Sequence, residues 1–135
     1  LCYLAHANAL KDDLSVLESI QFLARLHGHA GDAAGCGEAL RRVGLFSRRN
    51  AAVRTLSQGQ RRRGALARLQ LDAAAPVWIL DEPYDALDAE GTAMLDEALS
   101  AHAHRGGAAV LTSHIDLTLR DPEPMVLQLD AYRVQ

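Results

Sequence analysis

The sequence is almost without lysine. Lys11 is its only one, and the remaining basic residues are all arginines. A loop that cradles phosphates needs Gly-rich backbone followed by Lys and then Ser or Thr. Lys11 stands between Leu10 and Asp12, so no such loop exists within these residues. Aromatic residues make up only 4% of the chain, too few to build a stacking platform for single-stranded nucleic acid. The two cysteines, Cys2 and Cys36, match no zinc or redox spacing and read as reduced cytosolic thiols. No apolar run approaches the ~18 residues of a membrane-spanning helix. The first residue is Leu1 rather than Met, and the chain reads as a piece whose N-terminal segment has been lost.

What is present is ordinary in bulk and uneven in distribution. At 135 residues the chain fits one domain with a real core. Alanine and leucine dominate, which favours helices. The net charge of −3 hides a segregation. Residues 41–68 carry nine arginines and no acid, whereas residues 80–97 are acidic. The basic block holds a single aromatic, Phe46, too few to stack successive bases, which argues against a nucleic-acid surface. It reads instead as a solvated face or as a contact surface for another subunit.

Local patterns mark out the elements. Leu1–Leu4 reads as a strand end. Ser15 followed by Glu18 is a capping box, which predicts a helix over 16–27 with Leu17, Ile20, Leu23 and His27 on one face. A weaker helix over 33–43 ends at Gly44. Residues 45–55 read as irregular or partly helical. Ser57 caps a helix over 58–72. The apolar run Val77–Leu80 predicts a strand buried on both faces of a parallel sheet. Asp88 caps a helix over 89–104, with Met94, Leu95, Ala98 and Leu99 inward. Gly106 and Gly107 end it, and residues 108–112 read as a second buried strand. A helical turn over 116–119 and a hairpin from 125–129 and 132–134 complete the pattern. Alternating strands and helices argue for an α/β fold with a parallel core.

Four places carry candidate chemistry. Asp81 and Glu82 end a predicted strand, where open α/β sheets bind ligands. Asp81 suits a carboxylate that holds Mg²⁺, and Glu82 suits a base that polarises water. Ser57 and Gly59 open a helix, whose free N–H groups attract phosphate. His114 follows the next strand and suits a hydrogen bond to a terminal phosphate. Each has a plain structural alternative: two acids ending a strand, an ordinary N-cap, a structural histidine. The pairs His27/His29 and His102/His104 lie two residues apart on or near helices, do not share a face, and do not suggest a metal site.

Order and spacing tie these places together. Leu56-Ser57-Gln58-Gly59-Gln60, Ala65-Leu66-Ala67-Arg68, Trp78-Ile79-Leu80-Asp81-Glu82-Pro83, Ala86-Leu87-Asp88 and Leu111-Thr112-Ser113-His114 follow one another in register. The series resembles the ATP-binding cassette (ABC) ATPases. The first piece is similar to the signature motif, the Asp81-Glu82 piece to the Walker B strand, the Asp88 piece to the D-loop, and His114 to the switch histidine. Tyr3-Leu4-Ala5-His6, Lys11–Ser19 and Trp78 narrow the resemblance to the haem-exporter ATPases of cytochrome c maturation. In that subfamily a histidine commonly stands at the Q-loop position, here His6. Tyr84-Asp85 and Gly64 depart from the family pattern.

The resemblance implies a P-loop NTPase-like nucleotide-binding domain without its N-terminal Walker A portion. Residues of about 11–55 would form a helical subdomain, and about 56–135 the signature, Walker B and switch core. It implies ATP and Mg²⁺ as cofactors, with Asp81 on the metal and Glu82 and His114 catalytic. Ser57, Gly59, Gln60, His6 and Asp88 would contact nucleotide. It also implies a head-to-tail partner ATPase subunit and membrane-spanning transporter subunits, at the cytoplasmic face of a bacterial inner membrane. No nucleic acid and no direct cargo contact are expected. Another ABC transporter, or an ABC ATPase acting on nucleic acid or translation, remains the alternative at this stage.

Overall fold

The computed structural model describes residues 1–132. Three parallel strands form one sheet in the order β1 (Cys2–Leu4), β2 (Val77–Leu80), β3 (Ala108–Leu111). Cys2 pairs with Trp78 and Trp78 with Ala109, so the three strands end at one edge. The helices are α1 (Val16–Leu26), α2 (Ala33–Arg42), α3 (Gln58–Leu71) and α4 (Ala89–His104).

The helix starts are set by side-chain caps. Ser15 and Glu18 close a reciprocal capping box on α1, and Ser57 and Gln60 close one on α3. The carboxylates of Asp32 and Asp88 accept from Gly35 and Gly91 to cap α2 and α4. Each cap satisfies N–H groups that have no partner inside their own helix. Gly44 follows the end of α2 with φ +72, a left-handed conformation that a side chain disfavours. Residues 45–55 resolve into two short 3-10 turns, Phe46–Arg48 and Val53–Thr55.

One core joins these elements. Ile20 and Ala24 of α1, Ala39 and Leu40 of α2, and Leu66 and Leu69 of α3 pack together with Trp78 and Leu80 of β2 and Leu95 and Leu99 of α4. On α1 the buried stripe runs through Val16, Ser19, Ile20, Leu23 and Ala24. His27 follows it in spacing, yet it lies past the end of the helix and is exposed. Gly64, a departure from the family pattern, has Leu10 over it. A β-carbon there would stand 2.9 Å from Leu10 Cδ1, so the loop leucine fills the space of the missing side chain.

The sheet departs from the expected burial. Trp78 and Leu80 are buried, but Ile79 between them is 38% exposed. Tyr3, Ile79 and Val110 stand in register across the sheet, all exposed. Successive strand residues point to opposite faces, and among the described residues the second face has no covering element. β3 is an edge strand and is mostly exposed rather than buried. Two further expectations fail. Residues 116–119 form no helical turn, and residues 125–128 form no strand. A 3-10 turn, Leu129–Tyr132, stands where the hairpin was expected, and the rest of that predicted strand lies outside the described residues. A short apolar run predicts a strand only when a neighbour is available to pair with it.

Candidate functional site

The shared strand edge gathers the predicted residues. His6 follows β1, Asp81 and Glu82 follow β2, and His114 follows β3. Backbone bonds carry the sheet register past the strands. Asp81 N–H donates to Leu4 O at 2.9 Å, and Thr112 N–H donates to Leu80 O at 3.0 Å.

Thr112 then organises the carboxylate pair. Its hydroxyl donates to Asp81 Oδ1 at 2.8 Å and accepts the N–H of Glu82 at 2.9 Å. Glu82 itself has φ +47, in the left-handed region that non-glycine residues seldom enter. This turn sends the Glu82 side chain toward β3, where Oε2 lies 3.0 Å from His114 Nδ1. The pair is an ion pair only when the ring is protonated, and it is open to solvent on the histidine side. Asp81, Glu82 and His114 therefore form one cluster, and the His6 side chain stands exposed at the same edge.

The underside of the cluster rests on Arg62, a member of the basic block expected to form a solvated face or a subunit contact. Arg62 is 2% exposed. Its guanidinium donates to the carbonyls of Asp81 at 2.9 Å, Glu82 at 2.5 Å and Pro83 at 3.4 Å. It also donates to Ala5 O at 3.2 Å, His6 O at 3.1 Å and Asn8 Oδ1 at 3.3 Å. Burial pulls its pKa down, and the charges of Asp85, Asp81 and Glu82 oppose that. A signal existed in the sequence: Arg62 lies four and seven residues before Leu66 and Leu69, on the buried stripe of α3.

Ser57 and Gln60 bond to each other rather than to this cluster. Ser57 Oγ accepts the Gln60 N–H at 3.1 Å, and Gln60 Oε1 accepts the Ser57 N–H at 3.0 Å. Among the described residues no hydrogen bond joins Ser57, Gly59 or Gln60 to Asp81, Glu82 or His114. Gly59 lies against the 82–88 loop, where a β-carbon would meet Ala86 O at 3.0 Å. Asp88 has structural work. Its Oδ1 accepts from Gly91 N–H at 2.8 Å and from Arg63 at 2.6 Å, and Arg63 also reaches Glu90 at 3.0 Å. The Arg63 bond and the cap hold the Asp88 carboxyl below its ordinary range.

The basic and acidic blocks thus meet in space. Arg61 pairs with Asp12 at 2.6 Å, Arg62 takes the 81–83 carbonyls, Arg63 takes Asp88 and Glu90, and Arg68 takes Asp72 at 3.4 Å. Arg41 and Arg49 lie over the ring of Phe46. Arg61, Arg62, Arg63 and Arg68 fasten α3 to its neighbours, whereas Arg41, Arg42, Arg48 and Arg54 are exposed.

A second polar knot lies at the other end of α3. Asp72 binds His29 and Arg68, Arg68 donates to Tyr3 O at 3.1 Å, and the Trp78 indole donates to Asp72 O at 3.3 Å. Cys2 is buried beside it, and desolvation pushes its thiol up to about 12. That thiol is no nucleophile at neutral pH. Among the described residues no three His, Cys, Asp or Glu side chains converge to hold a metal. A single carboxylate such as Asp81 still fits Mg²⁺, which keeps its waters and takes one or two protein carboxylates together with phosphate oxygens.

Comparison with known proteins agrees with this geometry. The sequence pattern of the family described as ABC transporter matches residues 1–85. The chain is 44% identical over 131 residues to the cytochrome c biogenesis ATP-binding export protein CcmA of Albidiferax ferrireducens, covering 97% of this chain and 62% of that protein. It is 50% identical over 114 residues to the protein of that name in Xanthomonas campestris, covering 84% and 52%. For that of Aromatoleum aromaticum the identity is 46% over 129 residues, covering 96% and 60%. The chain thus spans between half and two thirds of these relatives. A dimeric ATP-binding cassette in a post-hydrolysis state, bound to ADP and phosphate, superposes with a TM-score of 0.71 at 24% identity, covering 84% of this chain and 51% of that one. The ATP-binding subunit of an ABC transporter superposes with a TM-score of 0.72 at 23% identity, covering 84% and 48%. With the match running from β1 through the Asp81–Asp85 turn, the chain belongs to the ABC transporter family.

Proposed function

We propose that the chain is part of an ATP-hydrolysing transporter subunit that powers haem export for c-type cytochrome biogenesis. The observation that carries this reading is the Asp81–Glu82–His114 cluster at the ends of parallel strands, fastened by Thr112 and Arg62. The names of the relatives support the cytochrome c assignment. They favour it over an ABC ATPase acting on nucleic acid or translation.

In this reading Asp81 holds Mg²⁺, which when bound would neutralise charge on the phosphates. Glu82 orients and deprotonates the attacking water, and His114 faces the terminal phosphate. His6 approaches metal or water from the β1 side. Ser57, Gly59 and Gln60 face the ATP of a second, head-to-tail ATPase subunit, with Asp88 bordering that contact. The two groups would serve two different nucleotides, as Ser57 and Gln60 bond to each other and not to the carboxylate cluster. Phosphoryl transfer of this kind rests mostly on positioning and electrostatics. The segment of about 11–54 faces membrane-spanning subunits, and no residue here touches cargo. The subunit would attach peripherally at the cytoplasmic face of the inner membrane, and no helix among the described residues is long and apolar enough to cross a membrane.

The test is Glu82→Gln in the complete protein. Turnover should fall by about 10²–10⁴-fold, while ATP-bound dimers persist. Normal turnover would remove Glu82 from the chemistry. These 135 residues alone, without a Gly-rich lysine loop, should hydrolyse no ATP. Membrane proteins of cytochrome c maturation encoded beside this gene would support the substrate assignment, and neighbours serving another transport system would redirect it.

A further inference from the structure

We infer that Arg62 is a positioning residue that locks the catalytic turn to the His6 loop and ties both to the signature helix. The inference rests on the ATPase reading above and extends it to a residue that touches no substrate.

Three observations carry it. First, one planar group spans two chain segments. Nη1 takes Ala5 O, His6 O and Asn8 Oδ1, while Nη2 takes Asp81 O and Glu82 O, and Nε takes Pro83 O. Those segments follow β1 and β2 and carry His6, Asp81 and Glu82. A guanidinium has five N–H donors in a fixed fork, so six acceptors use its whole capacity, with at least one donor shared. An ammonium has three donors on a flexible stem and cannot reach both segments in one plane.

Second, the clamp lies where the backbone needs holding. Glu82 sits in the left-handed region at φ +47, and its carbonyl receives the 2.5 Å bond. Such a conformation persists only where the surroundings over-determine it. Above the turn Thr112 fixes the Glu82 N–H, and below it Arg62 fixes the Glu82 carbonyl. Both ends of the residue are held, and the carboxylate is thereby aimed at His114.

Third, Arg62 lies five residues into the helix that Ser57 caps. The first turn of α3 faces outward, and its second turn grips the carboxylate cluster. One rigid helix therefore links Ser57, Gly59 and Gln60 with Asp81 and Glu82.

Two measurements on the complete protein test this. In steady-state ATP hydrolysis, Arg62→Met should lower kcat by about 10- to 100-fold, the scale of a misplaced catalytic group, and leave KM for ATP within about threefold. Arg62→Lys should recover part of the loss. In nucleotide-free protein, Arg62→Met should speed amide hydrogen exchange at both 5–8 and 81–83 and leave 16–42 as in the parent. Unchanged kcat, or exchange that rises uniformly along the chain, overturns the inference. If the parent protein hydrolyses no ATP, the functional reading fails by itself, and the paired rise in exchange at 5–8 and 81–83 alone decides whether Arg62 couples the two loops.

Discussion

The indole of Trp78 lies flat against the imidazole of His102, with 3.9 Å between ring centroids and 7° between ring planes. This stack joins β2 to α4 and brings a titratable ring into the core at 2% exposure. His102 Nε2 lies 3.3 Å from Ala108 O, and burial is the main cause holding its pKa below the ordinary 6.5.

Folding therefore disfavours the charged ring. Below about pH 6.5 the unfolded chain binds the extra proton and the folded chain resists it. The stability that His102 contributes is present above that pH and is lost as pH falls through its lower folded value. Denaturant titrations between pH 7.5 and 5 should show this decline. His102→Phe keeps an aromatic ring on Trp78 but cannot protonate, so its decline should be shallower. An equal slope would assign the acid sensitivity to other groups.

Gly107 backs the same ring. A β-carbon there would stand 2.3 Å from His102 Cε1 and Nε2, closer than any tolerated contact. Gly107→Ala must displace the imidazole or the entry to β3, at a cost of about 1–3 kcal/mol for overpacking. Combining it with His102→Ala should relieve most of that cost, and full additivity in the double variant would refute the proposed clash.

Thr112 is expected to matter to turnover through its hydroxyl. Thr112→Val keeps the β-branched shape but removes both the donor to Asp81 and the acceptor for Glu82 N–H. In the complete protein, ATP hydrolysis should fall by about tenfold or more, the scale of catalytic misplacement. Thr112→Ser should restore most of it. Equal activity in the Val and Ser variants would show that shape, not hydrogen bonding, is what this position supplies.

Asp81→Asn removes one negative charge from the cluster and leaves the Thr112 bond possible. In the complete protein the Mg²⁺ concentration needed for half-maximal turnover should rise, while the melting temperature should barely change. Unchanged metal dependence would refute its assignment to the cation.

Ser57→Ala tests the cap directly. The loss should be about 1 kcal/mol of stability, read in chemical denaturation of the chain. A neutral result would mean that tertiary contacts, not the cap, hold the start of α3.

Much of this was legible in advance because it is written locally. Ser15 with Glu18, Ser57 and Asp88 announce helix starts through side chains that reach only three residues onward. Val77–Leu80 announces a strand in the same way. What failed depends on distant partners. Ile79 and Val110 read as buried because their strands are apolar runs, but nothing among the described residues covers the face they share with Tyr3. Arg62 read as part of a basic block, either a solvated face or a subunit contact, since the six oxygens it satisfies come from segments far from it in sequence. Asp88 is the cap it read as, but the bond it accepts from Arg63 comes from another helix and left no local trace. Thr112 appeared only as part of a motif, and its role emerged once β2 and β3 stood side by side.

The capping box at Ser57 and Gln60 has an effect beyond the helix it begins. Both side chains are anchored through their oxygens, Ser57 Oγ by the Gln60 amide and Gln60 Oε1 by the Ser57 amide. The hydroxyl proton of Ser57 and the side-chain NH₂ of Gln60 stay uncommitted by the box. The Gln60 NH₂ is aimed by the bond its own oxygen makes, while the Ser57 hydroxyl proton can still turn, so both can donate to a further acceptor while the cap stays closed.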